Sequence, residues 1–192
     1  QAIEMRYKLL YYNYNLAYQN SKSGIPLMRP LFFEEPENEA LLTKSDGYLW
    51  GKDFLIYPIM EAKQKEKEVY FPKNATWFDF YSQEKYEGGT SQKINLVENH
   101  IPTFVRGGSF IPMANLVQTT ERYNSNTMSF HYFLDKKTTT HSNQFYFDDG
   151  ATVNAFEKET YEIIKLHVQN ESKKHKLKSS EKPVKTIKQP LK

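Results

Sequence analysis

The 192-residue chain has no cysteine, so neither a disulfide framework nor a cysteine-based metal site is open to it, and its redox compartment is left open. Apolar runs are short. None approaches the roughly 20 residues of a membrane-spanning helix, and the opening QAIEMRYKLL lacks the long apolar core of a signal peptide. The 5 histidines form no i, i+4 pair around a glutamate, so no metal site is expected, and nothing calls for another cofactor. Charge is nearly balanced at a formal +3. Much of that excess sits in one terminal stretch, so nucleic acid is not an expected partner.

Aromatic rings are what the chain has in quantity: 14 Tyr, 13 Phe and 2 Trp, 15% of the residues. A mean hydropathy of −0.74 would suggest a thin core, but each ring buries a large area. Aromatic segments broken by Gly, Pro and Asn favour strands, so a mainly β chain is expected.

One helix is expected, over residues 1–20, where Ile3, Tyr7, Leu10, Tyr14 and Ala17 recur at three- and four-residue spacing and form an apolar stripe. Gly24 and Pro26 end it, and the apolar run Ile25 to Phe33 reads as a following strand. Short strands are then expected in Tyr48–Trp50, Phe54–Ile59, Glu68–Phe71, Trp77–Tyr81 and Thr103–Ile111, at the spacing of a β-sandwich. A second sheet is expected from Met128–Leu134, Gln144–Phe147 and Tyr161–Val168. Residues 171–192 are rich in lysine, lack aromatics and are expected to form a mobile tail that has room for one frayed strand.

Several of these segments carry a family pattern. Arg6-Tyr7-Lys8-Leu9-Leu10 with Tyr12 and Tyr14, then Gly24-Ile25-Pro26-Leu27-Met28-Arg29-Pro30-Leu31, resemble the late barrel helix of glycoside hydrolase family 31 and the stretch after it. The run Tyr48-Leu49-Trp50-Gly51-Lys52-Asp53-Phe54 through Ile59, with Val69–Pro72 and Trp77–Tyr81, resembles that family's first C-terminal sheet. Ile101-Pro102-Thr103-Phe104-Val105-Arg106-Gly107-Gly108-Ser109-Phe110-Ile111-Pro112 resembles its most recognisable strand pair, and Asp148-Asp149-Gly150 with Asn154-Ala155-Phe156-Glu157 resembles its distal β domain. Three departures stand out. Tyr11 replaces a usual proline, Tyr57 replaces a usual small residue, and the basic tail stands where closing strands are expected.

The resemblance implies a fold and a division of labour. The chain would be mainly β with one N-terminal helix, the tail end of a (β/α)8 barrel followed by two small antiparallel β-sandwich domains. Residues 1–36 would be the last barrel helix and strand, 37–114 a proximal β domain, 115–170 a distal one and 171–192 the basic tail. Retaining glycosidases cleave with two carboxylates about 5–5.5 Å apart, and in the resembled family both come from earlier barrel strands. No catalytic residue is therefore expected in this chain, its carbohydrate-binding residues are unknown, and its role would be structural. An upstream catalytic barrel is the expected partner, with α-linked oligosaccharide bound in the context of the full enzyme. A non-catalytic carbohydrate-binding sandwich and the complementing half of a split glycosidase are the alternatives.

The residues themselves raise further candidates, each with a plain structural reading. Asp148 and Asp149 before Gly150 form a turn signal. Glu34 and Glu35 before Pro36 read as a solvated pair. Asp79 lies on one strand face with Trp77 and Tyr81, opposite Phe78 and Phe80, and reads as a hydrogen-bonded edge carboxylate or a sugar contact. Arg106-Gly107-Gly108-Ser109 lacks the ending of a phosphate loop, and Ser109 is not in a nucleophile elbow. Trp77, Tyr81 and Tyr86 belong to a core or stack on sugar rings. Asn74-Ala75-Thr76 fits an N-glycosylation sequon.

Overall fold

A computed structural model of the chain describes residues 2–123, 128–135, 140–171 and 174–180, with 169–180 described in backbone alone. It is mainly β, with two helices and several small antiparallel sheets. These divide into two compact units. One joins the chain up to Ile25 with Phe110–Tyr132 and the residues from Lys136 onward; the other runs from Pro26 to Ser109 and takes in Phe133–Asp135.

The second of these units is built on a six-stranded antiparallel sheet. Its strands are β1 (Met28–Pro30), β2 (Tyr48–Trp50), β3 (Phe54–Ile56), β5 (Thr76–Asp79), β6 (Lys85–Glu87) and β8 (Thr103–Arg106), in the order β1-β2-β3-β8-β5-β6. A separate pair, β4 (Glu66–Phe71) with β7 (Thr90–Asn95), supplies the second layer. Between the layers lie Leu49, Leu55, Trp77 and Phe104 from the sheet and Val69, Phe71 and Ile94 from the pair, all buried. Phe71 stacks on Tyr86 at 4.7 Å and meets Phe104 edge-on at 4.9 Å, the offset and T-shaped geometries that the ring quadrupole favours.

The expected strand across Ile25–Phe33 shortens to Met28–Pro30 and then becomes a 3-10 turn at Leu31–Phe33. Pro30 has no N–H to extend the ladder, which accounts for the stop. Tyr57, one of the departures, is fully buried. Its hydroxyl donates to the Tyr70 carbonyl and accepts from the Tyr70 amide, each at 3.0 Å. Gly47 makes room for its ring, since a Cβ there would lie 2.5 Å from it.

The other unit contains α1 (Ala2–Lys8) and α2 (Leu10–Ser23), a pair formed by β9 (Phe110–Met113) and β10 (Ser129–Tyr132), and a three-stranded sheet of β11 (Thr140–Phe147), β12 (Glu162–Glu171) and β13 (Lys174–Ser180). The expected single helix is two segments broken at Leu9, which sits at φ −91°, ψ 8°. Gly24 closes α2 in the left-handed region at φ 73°, its N–H donating to the Asn20 carbonyl at 2.8 Å, an ending only a residue without Cβ adopts freely.

The expected apolar stripe is not the buried face of this helix. Tyr11, Tyr12, Asn15 and Leu16 are buried, whereas Ile3 is 74% exposed and Tyr14 and Ala17 lie at the surface. Tyr11 packs with Phe110, Ala114, Phe145, Phe147, Leu166 and Val168. The Ala114 amide donates to the Lys8 carbonyl and the Tyr123 hydroxyl to the Tyr7 carbonyl, each at 2.9 Å. The helix therefore groups with the later strands. The compact units accordingly differ from the divisions at 36/37 and 114/115 read from the sequence. Within the tail, Lys174–Ser180 pairs with β12 as the one strand allowed for there, and residues 181–192 lie outside the described residues.

Candidate functional site

Catalysis by paired carboxylates needs two acids free to face a substrate. The acids raised by the sequence are instead engaged by their own chain. Asp148 accepts from the Tyr14 hydroxyl at 2.7 Å, the Tyr146 hydroxyl at 2.8 Å and the Gly150 amide at 2.9 Å. Burial first, and then donation to Asp148, push both tyrosines well above their ordinary range. Asp149 caps the next turn through the Ala151 and Thr152 amides and the Thr152 hydroxyl. Those bonds, that to the Thr152 side chain foremost, hold it below the usual carboxylate range. The pair forms a turn.

Glu34 and Glu35 are not a solvated pair. Glu34 accepts from the Arg106 guanidinium at 2.6 Å, while Arg106 also donates to the Lys52 carbonyl at 2.8 Å and lies 4.6 Å from the centre of the Trp77 ring. This arginine fastens the loop before β3 to the sheet. Glu35 is buried and accepts from the Tyr70 hydroxyl at 2.7 Å, the Lys73 amide at 2.8 Å and the Asn38 amide group at 3.0 Å. Burial acts to raise its pKa, but the donors from Lys73, Asn38 and Tyr70 outweigh it and leave Glu35 below the ordinary range. Tyr70, partly buried and donating to Glu35, is pushed up to about 12. A carboxylate so held is a structural anion.

Asp79 ends β5 and organises the turn that follows. One of its oxygens accepts from the Tyr81 amide at 2.8 Å and the Ser82 amide at 2.7 Å. The aromatic candidates separate at this hairpin. Trp77 and Tyr86 are in the core, with the Trp77 indole N–H donating to the Pro72 carbonyl at 3.0 Å. Phe78 and Phe80 on the opposite face approach Phe133 at 6.2 and 6.4 Å. Tyr81 alone of the three is at the surface, 42% exposed, and lies flat against His100 with ring centroids 4.1 Å apart and 7° between planes.

The two glycines of the Arg106–Ser109 segment make a tight turn. Gly107 donates to the Thr76 carbonyl at 2.7 Å and Gly108 to the Phe133 carbonyl at 2.6 Å. A Cβ on Gly107 would come within 2.9 Å of Asp135. Ser109 is buried and donates to Asp53 at 2.6 Å, so its hydroxyl is committed to a carboxylate and not to a histidine. In the sequon, Asn74 is exposed at φ +61° while Thr76 is buried beside Asp135 at 3.4 Å. Both residues have a structural task there.

No local signal points to Asp53–Ser109, Thr76–Asp135 or Asn15–Tyr146, which join positions 56, 59 and 131 residues apart. Nothing local distinguishes such residues from ordinary turn or helix polar groups. Asn15, though buried, accepts from the Tyr146 amide at 2.6 Å and donates to the Tyr11 carbonyl at 3.0 Å. Beside it is a crevice of about 20 Å³ lined by Asn15, Tyr18, Gln19, Gln144, Tyr146 and Ile163, room for about one water molecule. Among the described residues no group of three or more His, Asp or Glu could hold a metal ion, and no helix is long and apolar enough to cross a membrane.

Residues 24–111 match the glycosyl hydrolase family 31 C-terminal domain. The chain is 38% identical over 112 residues to a probable glucan 1,3-alpha-glucosidase of Oryza sativa subsp. japonica, an alignment covering 58% of this chain and 12% of that protein. It is 32% identical over 167 residues to an alpha-xylosidase of Saccharolobus solfataricus, covering 85% and 22%. The solved structure of a GH31 dextranase from Flavobacterium johnsoniae superposes with a TM-score of 0.81 at 29% identity, over 91% of this chain and 21% of that one. The chain thus spans about a fifth or less of the length of these relatives. It belongs to glycosyl hydrolase family 31 and corresponds to that family's C-terminal region.

Proposed function

We propose that the chain is the structural C-terminal part of an α-glycosidase that hydrolyses O-glycosyl bonds, its catalytic carboxylates supplied by an upstream barrel. In this reading α1 and α2 are the last helix of a (β/α)8 barrel. Residues to about 36 complete that barrel, and the two β domains after it hold its closing elements in place. The observation that carries the reading is the two-faced helix. Its Tyr11, Tyr12 and Leu16 side is buried within the chain, while Ile3, Tyr14 and Ala17 are turned outward. An apolar stripe left at a surface favours a partner that covers it, and a barrel in the same polypeptide or in a complementing one would do so.

The substrate class follows from the same reading. An α-linked oligosaccharide would bind in the barrel and be cut by a pair of carboxylates about 5–5.5 Å apart, while Glu34, Glu35, Asp79, Asp148 and Asp149 stay in their structural bonds. The test is turnover of maltose and aryl α-glucosides by the chain alone and after co-expression with the barrel portion of a family relative. Activity is expected in the co-expressed pair and none in the chain alone. Metal-free turnover by the chain alone would overturn the assignment.

A further inference from the structure

The β5–β6 hairpin carries an exposed aromatic ring that is unusually well fixed. Surface tyrosines ordinarily keep rotamer freedom, and losing it costs entropy. Tyr81 is held in two ways. Its amide is bound by Asp79 at 2.8 Å, and its ring is stacked on His100 at 4.1 Å and met edge-on by Phe80 at 5.3 Å. Even so it remains 42% exposed. Beside it, the second oxygen of Asp79 takes no hydrogen bond among the described residues. Val97 and Ile101 flank His100 in the chain and are 60% and 54% exposed.

We propose that Tyr81 and His100, with Asp79 at their edge, form a surface subsite for a pyranose ring of an α-glucan. The chemistry fits on two counts. The C–H face of a pyranose is apolar and packs on an aromatic ring, and its equatorial hydroxyls donate to a carboxylate at the ring's edge. A ring already fixed in place loses little further freedom when the sugar docks. Asp79 serves twice, one oxygen shaping the turn and the other accepting from the sugar. Trp77 and Tyr86, the other aromatic candidates of this hairpin, are in the core and take no part.

The choice of α-glucan rests on the family reading, but binding at this subsite needs no barrel. The experiment is titration of maltoheptaose into the isotopically labelled chain, following the ring resonances of Tyr81 and His100. Saturable shifts centred on those two rings are expected. Tyr81→Leu should weaken binding about tenfold. Asp79→Asn, which keeps an acceptor for the turn, should weaken it by a smaller factor, and Tyr81→Trp should retain it. Retention by the tryptophan variant separates loss of the ring from loss of the fold. Absence of shifts in the parent chain, or binding that survives Tyr81→Leu unchanged, would overturn the subsite while leaving the turnover assay to judge the enzyme reading.

Discussion

Replacing Asn15 with leucine removes the polar link between α2 and the distal sheet. β11 is the outer strand of its three-stranded sheet, so its outward N–H groups have no ladder partner, and the Tyr146 amide is satisfied instead by the Asn15 side chain at 2.6 Å. Asn15 is 3% exposed, which leaves water little access to substitute. An orphaned buried N–H costs about 1–3 kcal/mol, and leucine, with the same branching but bulkier methyl ends, recovers at most a fraction through apolar contact. A net loss of about 2 kcal/mol is expected, a shift of roughly 1 M in the urea midpoint for a small protein. Amide exchange at Tyr146 should accelerate about thirtyfold, the equivalent of the same free energy. Asn15→Asp adds a pH signature. The buried carboxyl would have its pKa raised above the unfolded value of about 3.9. Its folded state is therefore favoured below that value, and the benefit is lost as pH rises through the raised pKa. Urea unfolding of both variants between pH 3 and 7, with exchange read at Tyr146, is the assay. A leucine variant within about 0.5 kcal/mol of the parent, with Tyr146 exchange unchanged, would refute the argument.

Glu35 has its pKa lowered by donors from Lys73, Asn38 and Tyr70 against the effect of burial, so it contributes stability above the usual carboxylate pKa of about 4.3 that is lost as pH falls through its lowered value. In Glu35→Gln that segment of the acid-unfolding curve should flatten, as measured by circular dichroism against pH. Gly88→Ala should be more damaging than Gly24→Ala in thermal unfolding. A Cβ at Gly88 would meet the Pro72 and Ala75 carbonyls at 2.4 Å, backbone that cannot yield, whereas Gly24 has nothing within 4 Å and bears only the cost of φ +73°, about 1 kcal/mol. Ile3→Glu, on the outward helix face, should make the isolated chain more monodisperse in sedimentation while lowering activity in the barrel co-expression assay. The opposite pairing of results would contradict the proposed partner.

The β character of the chain was legible because it depends on local signals. Tyr48–Trp50 and Phe54–Ile56 flank Gly51, which adopts φ +67°, and Gly24 ends the helix where a left-handed residue was needed. The choice of helix face was not legible. Ile3, Tyr7, Leu10, Tyr14 and Ala17 make a sound amphipathic stripe, but Tyr11, Tyr12 and Leu16 make another, and periodicity cannot rank two apolar faces on one helix. The solvated reading of Glu34 and Glu35 failed for a related reason. Their partners Arg106 and Tyr70 lie 72 and 35 residues away, and only the folded sheet brings them together.

The acids raised by the sequence do not stand open as a pair, and for most of them the cause is shared. Three of these carboxylates sit where backbone donors would otherwise be left bare: Asp79 at the end of β5, Asp149 at the turn after Asp148 and Glu35 beneath the Lys73 amide. Such donors hold the Asp149 and Glu35 carboxyls below the usual range, whereas a general acid must hold a proton near neutral pH. An acid cannot meet both demands in one position, so the residues that make this scaffold stable are poor material for catalysis. A family whose members share this C-terminal architecture can place its chemistry elsewhere and leave these acids free to hold turns.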